Sequence, residues 1–143
     1  MEKQLTIDAT KPLKILLVED SRDTRDYIVK FLKRSFPDAE IKAVQNLSEE
    51  GGIEELIKND QYSMALLDGD LNYWIEHPKF HNWGGNLLPV FKEHSPETIT
   101  VAISSEESYN KKMLEEGADL ALKKNTFYLR DKKLAPDFTL IDA

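Results

Sequence analysis

The stretch MALLDGDL, residues 64–71, constrains the fold most, because an apolar run with the look of a buried strand ends in two carboxylates, Asp68 and Asp70, around a glycine. Paired acids at the end of a core strand lose hydration and oppose each other's ionisation, so they weaken a fold unless they serve a site. The pattern recurs. LKILLVED (13–20) ends in Glu19 and Asp20, TITVAISS (98–105) in Ser104 and Ser105, and ADLALKK (118–124) in Lys123 and Lys124.

Helical patterns lie between these runs. Behind Ser21, placed as an N-cap, Tyr27, Ile28, Phe31, Leu32 and Phe36 recur at helical spacing until Pro37-Asp38 breaks the pattern. EIKAV is a short strand, and Ser48 with Glu49 and Glu50 opens a helix through GGIEELIKN whose glycine pair weakens its first turn. GGNLLPVFKEH reads as a helix with Pro89 near its start. EESYNKKMLEEG carries Tyr109, Met113 and Leu114 on one side and stops at Gly117, and TFYLRDKKL is a poorly patterned last helix. Strand and helix alternate throughout, which predicts an α/β fold with a mainly parallel sheet covered on both faces.

In such sheets ligands sit beyond the carboxyl ends of the strands, so Glu19-Asp20, Asp68, Ser104-Ser105 and Lys123-Lys124 fall on one functional edge. Three carboxylates brought together call for a hard divalent cation, and magnesium suits few protein ligands. A hydroxyl and a lysine at the same edge fit a site that also holds phosphoryl oxygens, with Asp68 as nucleophile. Taken singly, these residues have plainer readings: a turn after a strand, a helix cap, a solvated strand end.

The 143-residue chain is of ordinary single-domain size, with 41% hydrophobic residues for one core. It contains no cysteine, which excludes disulfides, thiolate metal sites and cysteine nucleophiles. A net charge of −7 argues against direct nucleic-acid binding. With no membrane-length apolar run and no signal-peptide pattern, a cytoplasmic, non-membrane protein is expected.

ILLVEDS, MALLDGDL, VAISSE and GADLALKK, in this order and spacing, resemble the receiver domain of bacterial two-component response regulators, over roughly residues 13–125. The resemblance implies a flavodoxin-like, doubly wound sheet of five parallel strands in the order 2-1-3-4-5, with an atypical fifth helix. It implies tails at 1–12 and 135–143 around a receiver domain at 13–134. Glu19 and Asp20 would hold Mg2+, with Asp68 as ligand and phosphoacceptor and Asp70 contributing its main-chain carbonyl. Ser104 would contact the phosphoryl group and Lys124 would pair with it. The donor would be a sensor histidine kinase or phosphotransfer protein, and the state would pass to a downstream protein. Such a domain promotes its own phosphorylation and dephosphorylation and is not a turnover enzyme.

Three departures from the family stand out. Asn125 replaces the proline that follows the lysine in a cis peptide, and a non-proline cis bond costs about 3 kcal/mol. Ala121 stands where the family has a switch aromatic. The connection GDLNYWIEHPKFHNW, residues 69–83, is long, and its aromatic part at 72–83 is either a partner surface or an insertion that packs back on the body. Glu76, His77 and His81 within it make a poor metal site, since Pro78 spoils helical spacing. Dimerisation through the fourth-helix, fifth-strand, fifth-helix surface is left open. Two rival functions remain: a haloacid-dehalogenase-like phosphatase with Asp68 as nucleophile and Asp70 as acid/base, and a receiver-like interaction module that is never phosphorylated.

Overall fold

The computed structural model describes residues 3–8, 10–44, 52–71 and 83–143. Five parallel strands form one sheet in the order β2-β1-β3-β4-β5: β1 Lys14–Val18, β2 Glu40–Val44, β3 Met64–Leu67, β4 Ile99–Ala102 and β5 Leu120–Ala121. Each apolar run of the sequence is one of these strands, and β1, β3 and β4 are almost wholly buried. That is the environment of a strand covered on both faces.

Side-chain alternation divides the core in two. Ile15, Leu17, Met64, Leu66 and Val101 face helix α1 (Arg22–Ser35), where they pack with Ile28, Phe31 and Leu32. Leu16, Val18, Ala65, Leu67 and Ala102 face the other way, toward α2 (Ile53–Asn59), α3 (Leu88–His94) and α4 (Glu107–Glu115). The sheet is thus doubly wound. Helix α2 begins only after the glycine pair, because Gly52 takes φ +106°, a backbone that other residues adopt poorly. The proposed opening at Ser48–Glu50 lies outside the described residues. A 3-10 turn at Gly84–Leu87 leads into α3.

Two expectations need correction. Helix α4 buries Asn110 and Met113, whereas Tyr109 and Leu114 are exposed. An amide therefore occupies a place that hydrophobic patterning gave to an aromatic ring, and its hydrogen bonds, described below, are the reason. The last helix does not form. Residues Lys124–Tyr128 make a 3-10 turn, followed by β6 (Lys132–Leu134), which pairs antiparallel with β7 (Leu140–Asp142).

Only Phe127 and Leu134 of that region are buried, both against the α1 side of the core, and their seven-residue separation across Arg130-Asp131 supplies no continuous helical stripe. Phe127 meets Phe31 edge-on at 5.3 Å, and Arg34 donates to the carbonyls of Leu129 and Lys132, both at 2.9 Å. The chain's two ends meet there. Ile7 is buried in the same cluster, and its N–H donates to Pro136 O at 3.0 Å. Lys3 reaches Asp119 at 2.8 Å and so ties the first residues to β5.

Candidate functional site

The register of the sheet assembles the site. Val18, Leu67 and Ala102 lie side by side, and the hydrogen-bond ladder continues one residue further. Asp68 N–H donates to Val18 O at 3.0 Å, Ile103 N–H to Leu67 O at 3.1 Å, and Leu122 N–H to Ala102 O at 2.8 Å. The polar residue after each apolar run is thereby delivered to one edge. Glu19 and Asp68 each follow a residue of the α2–α4 side, so by alternation both turn toward the α1 side.

Carboxylate oxygens of Glu19, Asp20 and Asp68 lie within 4.8 Å of one another. Lys124 Nζ stands 2.9 Å from Glu19 Oε2 and 3.3 Å from Asp68 Oδ1. Glu19 is fully buried and Asp68 is 3% exposed. Burial, then the charges of Glu19 and Asp20, push the Asp68 carboxyl up to about 8, although Lys124 pulls the other way. Burial likewise raises Glu19 against the pull of Lys124. Burial alone would lower the Lys124 ammonium, but Asp68 and Glu19 outweigh it and hold the lysine above its ordinary value.

Lys124 places one ammonium between two buried carboxylates. Glu19 Oε1 accepts from Ser21 N–H at 3.2 Å, but the buried Oε2 receives no well-formed hydrogen bond and has Lys124 only as an ion partner. A buried, unsatisfied carboxylate oxygen within an all-oxygen cluster fits a hard divalent cation. The donor set therefore suits a metal, through Glu19, Asp20 and Asp68. Asp70 contributes no side chain to this cluster.

Ser104 is 2% exposed at the end of β4, and its Oγ accepts from Glu106 N–H at 3.1 Å as a turn cap. It shares a cleft of about 240 Å³ with Lys124, Asn110 and Asn125. The Lys124–Asn125 peptide is trans, as no cis bond occurs among the described residues. A larger cavity of about 460 Å³, between α3, Lys3 and the turn after α4, is lined by none of these site residues.

Three further residues shape the site, and of these the sequence marks only Trp83, within its aromatic segment. Gly84 packs so tightly on the turn after β3 that a Cβ there would overlap the Asp68 carbonyl oxygen, and its N–H donates to Gly69 O at 2.9 Å. Trp83 bridges to Asp70 and packs back on α4: its indole N–H donates to Glu116 at 3.0 Å, Tyr109 meets it edge-on at 5.6 Å and Lys112 lies 4.6 Å above the ring. For Trp83, the packed reading of the aromatic segment holds. Residues 72–82, with Glu76, His77 and His81, lie outside the described residues. The third is Asn110. Ala121, at the position of the absent aromatic, is half-buried against the α2–α4 side of the core.

No protein-family model matches the sequence, and no curated protein does. Solved structures do. A response regulator protein from Burkholderia pseudomallei, with a phosphorylated aspartic acid, calcium ion and citrate, superposes with a TM-score of 0.61 at 16% identity, covering 78% of this chain and 59% of that one. This chain thus spans less than two thirds of that protein's length. The signal receiver domain of a DNA-binding response regulator from Colwellia psychrerythraea 34H gives a TM-score of 0.62 at 21% identity, over 78% and 85% of the two chains. The N-terminal domain of an uncharacterized protein from Wolinella succinogenes is 30% identical, with a TM-score of 0.56 over 80% of this chain and 82% of that one.

Strand order and these superpositions together define the response-regulator receiver fold. Within that fold the chain belongs with the Wolinella succinogenes domain. Among the described residues, no helix is long and apolar enough to cross a membrane.

Proposed function

We propose that the chain is a phosphoaccepting receiver that takes a phosphoryl group on Asp68 and signals by protein contact. The observation that carries this reading is Asp68 itself: a nearly buried carboxylate 3.3 Å from a lysine and within reach of two further acids at a strand end. A cost of this kind is explained when the group is the reacting one.

Glu19, Asp20, Asp68 and the Asp70 main-chain carbonyl are the residues to hold Mg2+. Bound there, magnesium would neutralise charge on the carboxylates and on the phosphoryl oxygens. Asp68 attacks as the ionised carboxylate. An Asp68 oxygen–phosphorus bond forms while the phosphorus–nitrogen bond of a donor phosphohistidine breaks, and the electron pair leaves with the imidazole. Lys124 faces the phosphoryl oxygens with its positive charge. Ser104 Oγ already accepts from Glu106 N–H, so its own proton is directed to a phosphoryl oxygen. Water later attacks phosphorus, inorganic phosphate departs and the carboxylate is restored.

The donor is a sensor histidine kinase or phosphotransfer protein, and the recipient of the signal is a second protein. Incubation with Mg2+ and acetyl phosphate, followed by intact-mass measurement, tests the reading. Wild type gains one phosphoryl mass and Asp68→Asn gains none. Sustained release of phosphate from small phosphate esters would favour a phosphatase instead, and no gain from acetyl phosphate or a phosphorylated kinase would favour an interaction module.

A further inference from the structure

Helix α4 turns a carboxamide inward at Asn110, which is 7% exposed beside the fully buried Met113. A buried amide is costly unless its donors and acceptor are used. Here they are used on one residue of the site. Asn110 Oδ1 accepts from Ser104 N–H at 2.8 Å, and Nδ2 donates to Ser104 O at 3.0 Å. The same Nδ2 lies 3.4 Å from Leu122 O, two residues before Lys124.

A single side chain therefore grips Ser104 on both sides of its Cα and ties that grip to the segment leading into Lys124. With the main chain held at both N and O, the direction of the Ser104 Cα–Cβ bond is set. The remaining freedom of the hydroxyl is limited by the 3.1 Å bond from Glu106 N–H. Asn110, Ser104 and Lys124 line one cleft.

We infer that Asn110 is a positioning residue that fixes the Ser104 hydroxyl against the phosphoryl group and so sets how fast the group arrives and leaves. This rests on the phosphoacceptor reading of Asp68. Both rates are affected because a donor aimed at the equatorial phosphoryl oxygens stabilises the charge that both transition states place there. Arrival from acetyl phosphate forms the Asp68 oxygen–phosphorus bond and breaks the phosphorus–oxygen bond to acetate, which leaves with the electron pair. Departure forms a bond from phosphorus to the oxygen of water, which gives its proton to solvent, and returns the electron pair to the Asp68 carboxylate. Asn110 touches neither reacting atom and acts only through Ser104.

The test is a double-mutant cycle on the full chain with Mg2+ and acetyl phosphate, in which intact mass follows gain and, after donor removal, loss of the phosphoryl group. Asn110→Asp preserves shape but removes the donor to Ser104 O. It is expected to slow both rates about tenfold when Ser104 is present and less than about twofold in a Ser104→Ala background. Equal slowing in both backgrounds would overturn the inference, because a merely structural role does not depend on the hydroxyl. If Asn110→Asp fails to give a cooperative melt, Asn110→Ala completes the same cycle. Failure of wild type to gain the group would instead overturn the reading of Asp68, and the inference with it.

Discussion

The ends of β1 and β3 and the end of β4 belong to one site, yet they are built by opposite rules. At β1 and β3, Asp20 joins Glu19 and Asp68 in one carboxylate cluster, Lys124 pairs with the last two, and one buried carboxylate oxygen is left without a hydrogen bond. At β4, Ser104 and Asn110 are just as buried but neutral, and they satisfy one another through paired hydrogen bonds. The acidic half opposes the metal-free fold and is suited to a cation, whereas the neutral half is organised beforehand.

The sharpest way to break this contrast is Asp68→Asn. It should abolish phosphoryl incorporation entirely, as read by intact mass, while Ser104→Ala only slows it. The same variant should stabilise the metal-free protein near pH 8, because it removes a charge that burial and two neighbouring acids disfavour.

The pH dependence follows from the direction of that shift. Folding raises Asp68 from 3.8 to about 8, so the folded state favours the protonated form. Its contribution to stability is complete below the unfolded value and is lost as pH rises through the folded one. Melting of the wild type in chelator should therefore fall between pH 4 and pH 8, on the order of a few kcal/mol. Added Mg2+ should restore it, and Asp68→Asn should reduce it to the part that the buried Glu19 contributes. A flat wild-type profile would mean that the acidic half is not strained.

Gly84→Ala reaches the acidic half through the main chain. Its methyl would overlap the Asp68 carbonyl oxygen, which cannot yield as a flexible side chain does. A loss of about 2 kcal/mol in urea unfolding and weaker Mg2+ binding are expected. The smallest effect lies far from both halves. Asp142→Asn breaks the solvent-facing pair with Lys132 in the C-terminal hairpin and should leave the melting temperature unchanged within error.

Glu19, Asp68, Ser104 and Lys124 are legible in the sequence because each closes an apolar run, and a parallel ladder needs only register to align such closings. Helix α1 is legible from its stripe. Tyr27 is the exception, half-exposed and 4.8 Å from Tyr128, a contact that no local pattern announces. The strand order is not contained in periodicity and entered through the family resemblance.

Asn110 went unread because patterning scores an amide as outward, and only the paired bonds to Ser104, six residues away, justify its burial. A polar residue three positions before the buried Met113, on the same helical face, is the signal that was there. The hairpin went unread for a related reason. β6 and β7 are three residues each, and they are joined by a turn in which Asp137 accepts from Thr139 N–H and hydroxyl at 3.1 and 2.7 Å. Strands so short carry no alternation to detect.

The most direct measurement places the phosphoryl group on a residue. Protein treated with Mg2+ and acetyl phosphate is reduced with borohydride, which converts an aspartyl phosphate to homoserine, and its peptides are sequenced by mass spectrometry. Homoserine at position 68 alone is the predicted result. Homoserine at 20 or 70, or at no position in protein that carries the added mass, would contradict Asp68 as the phosphoacceptor.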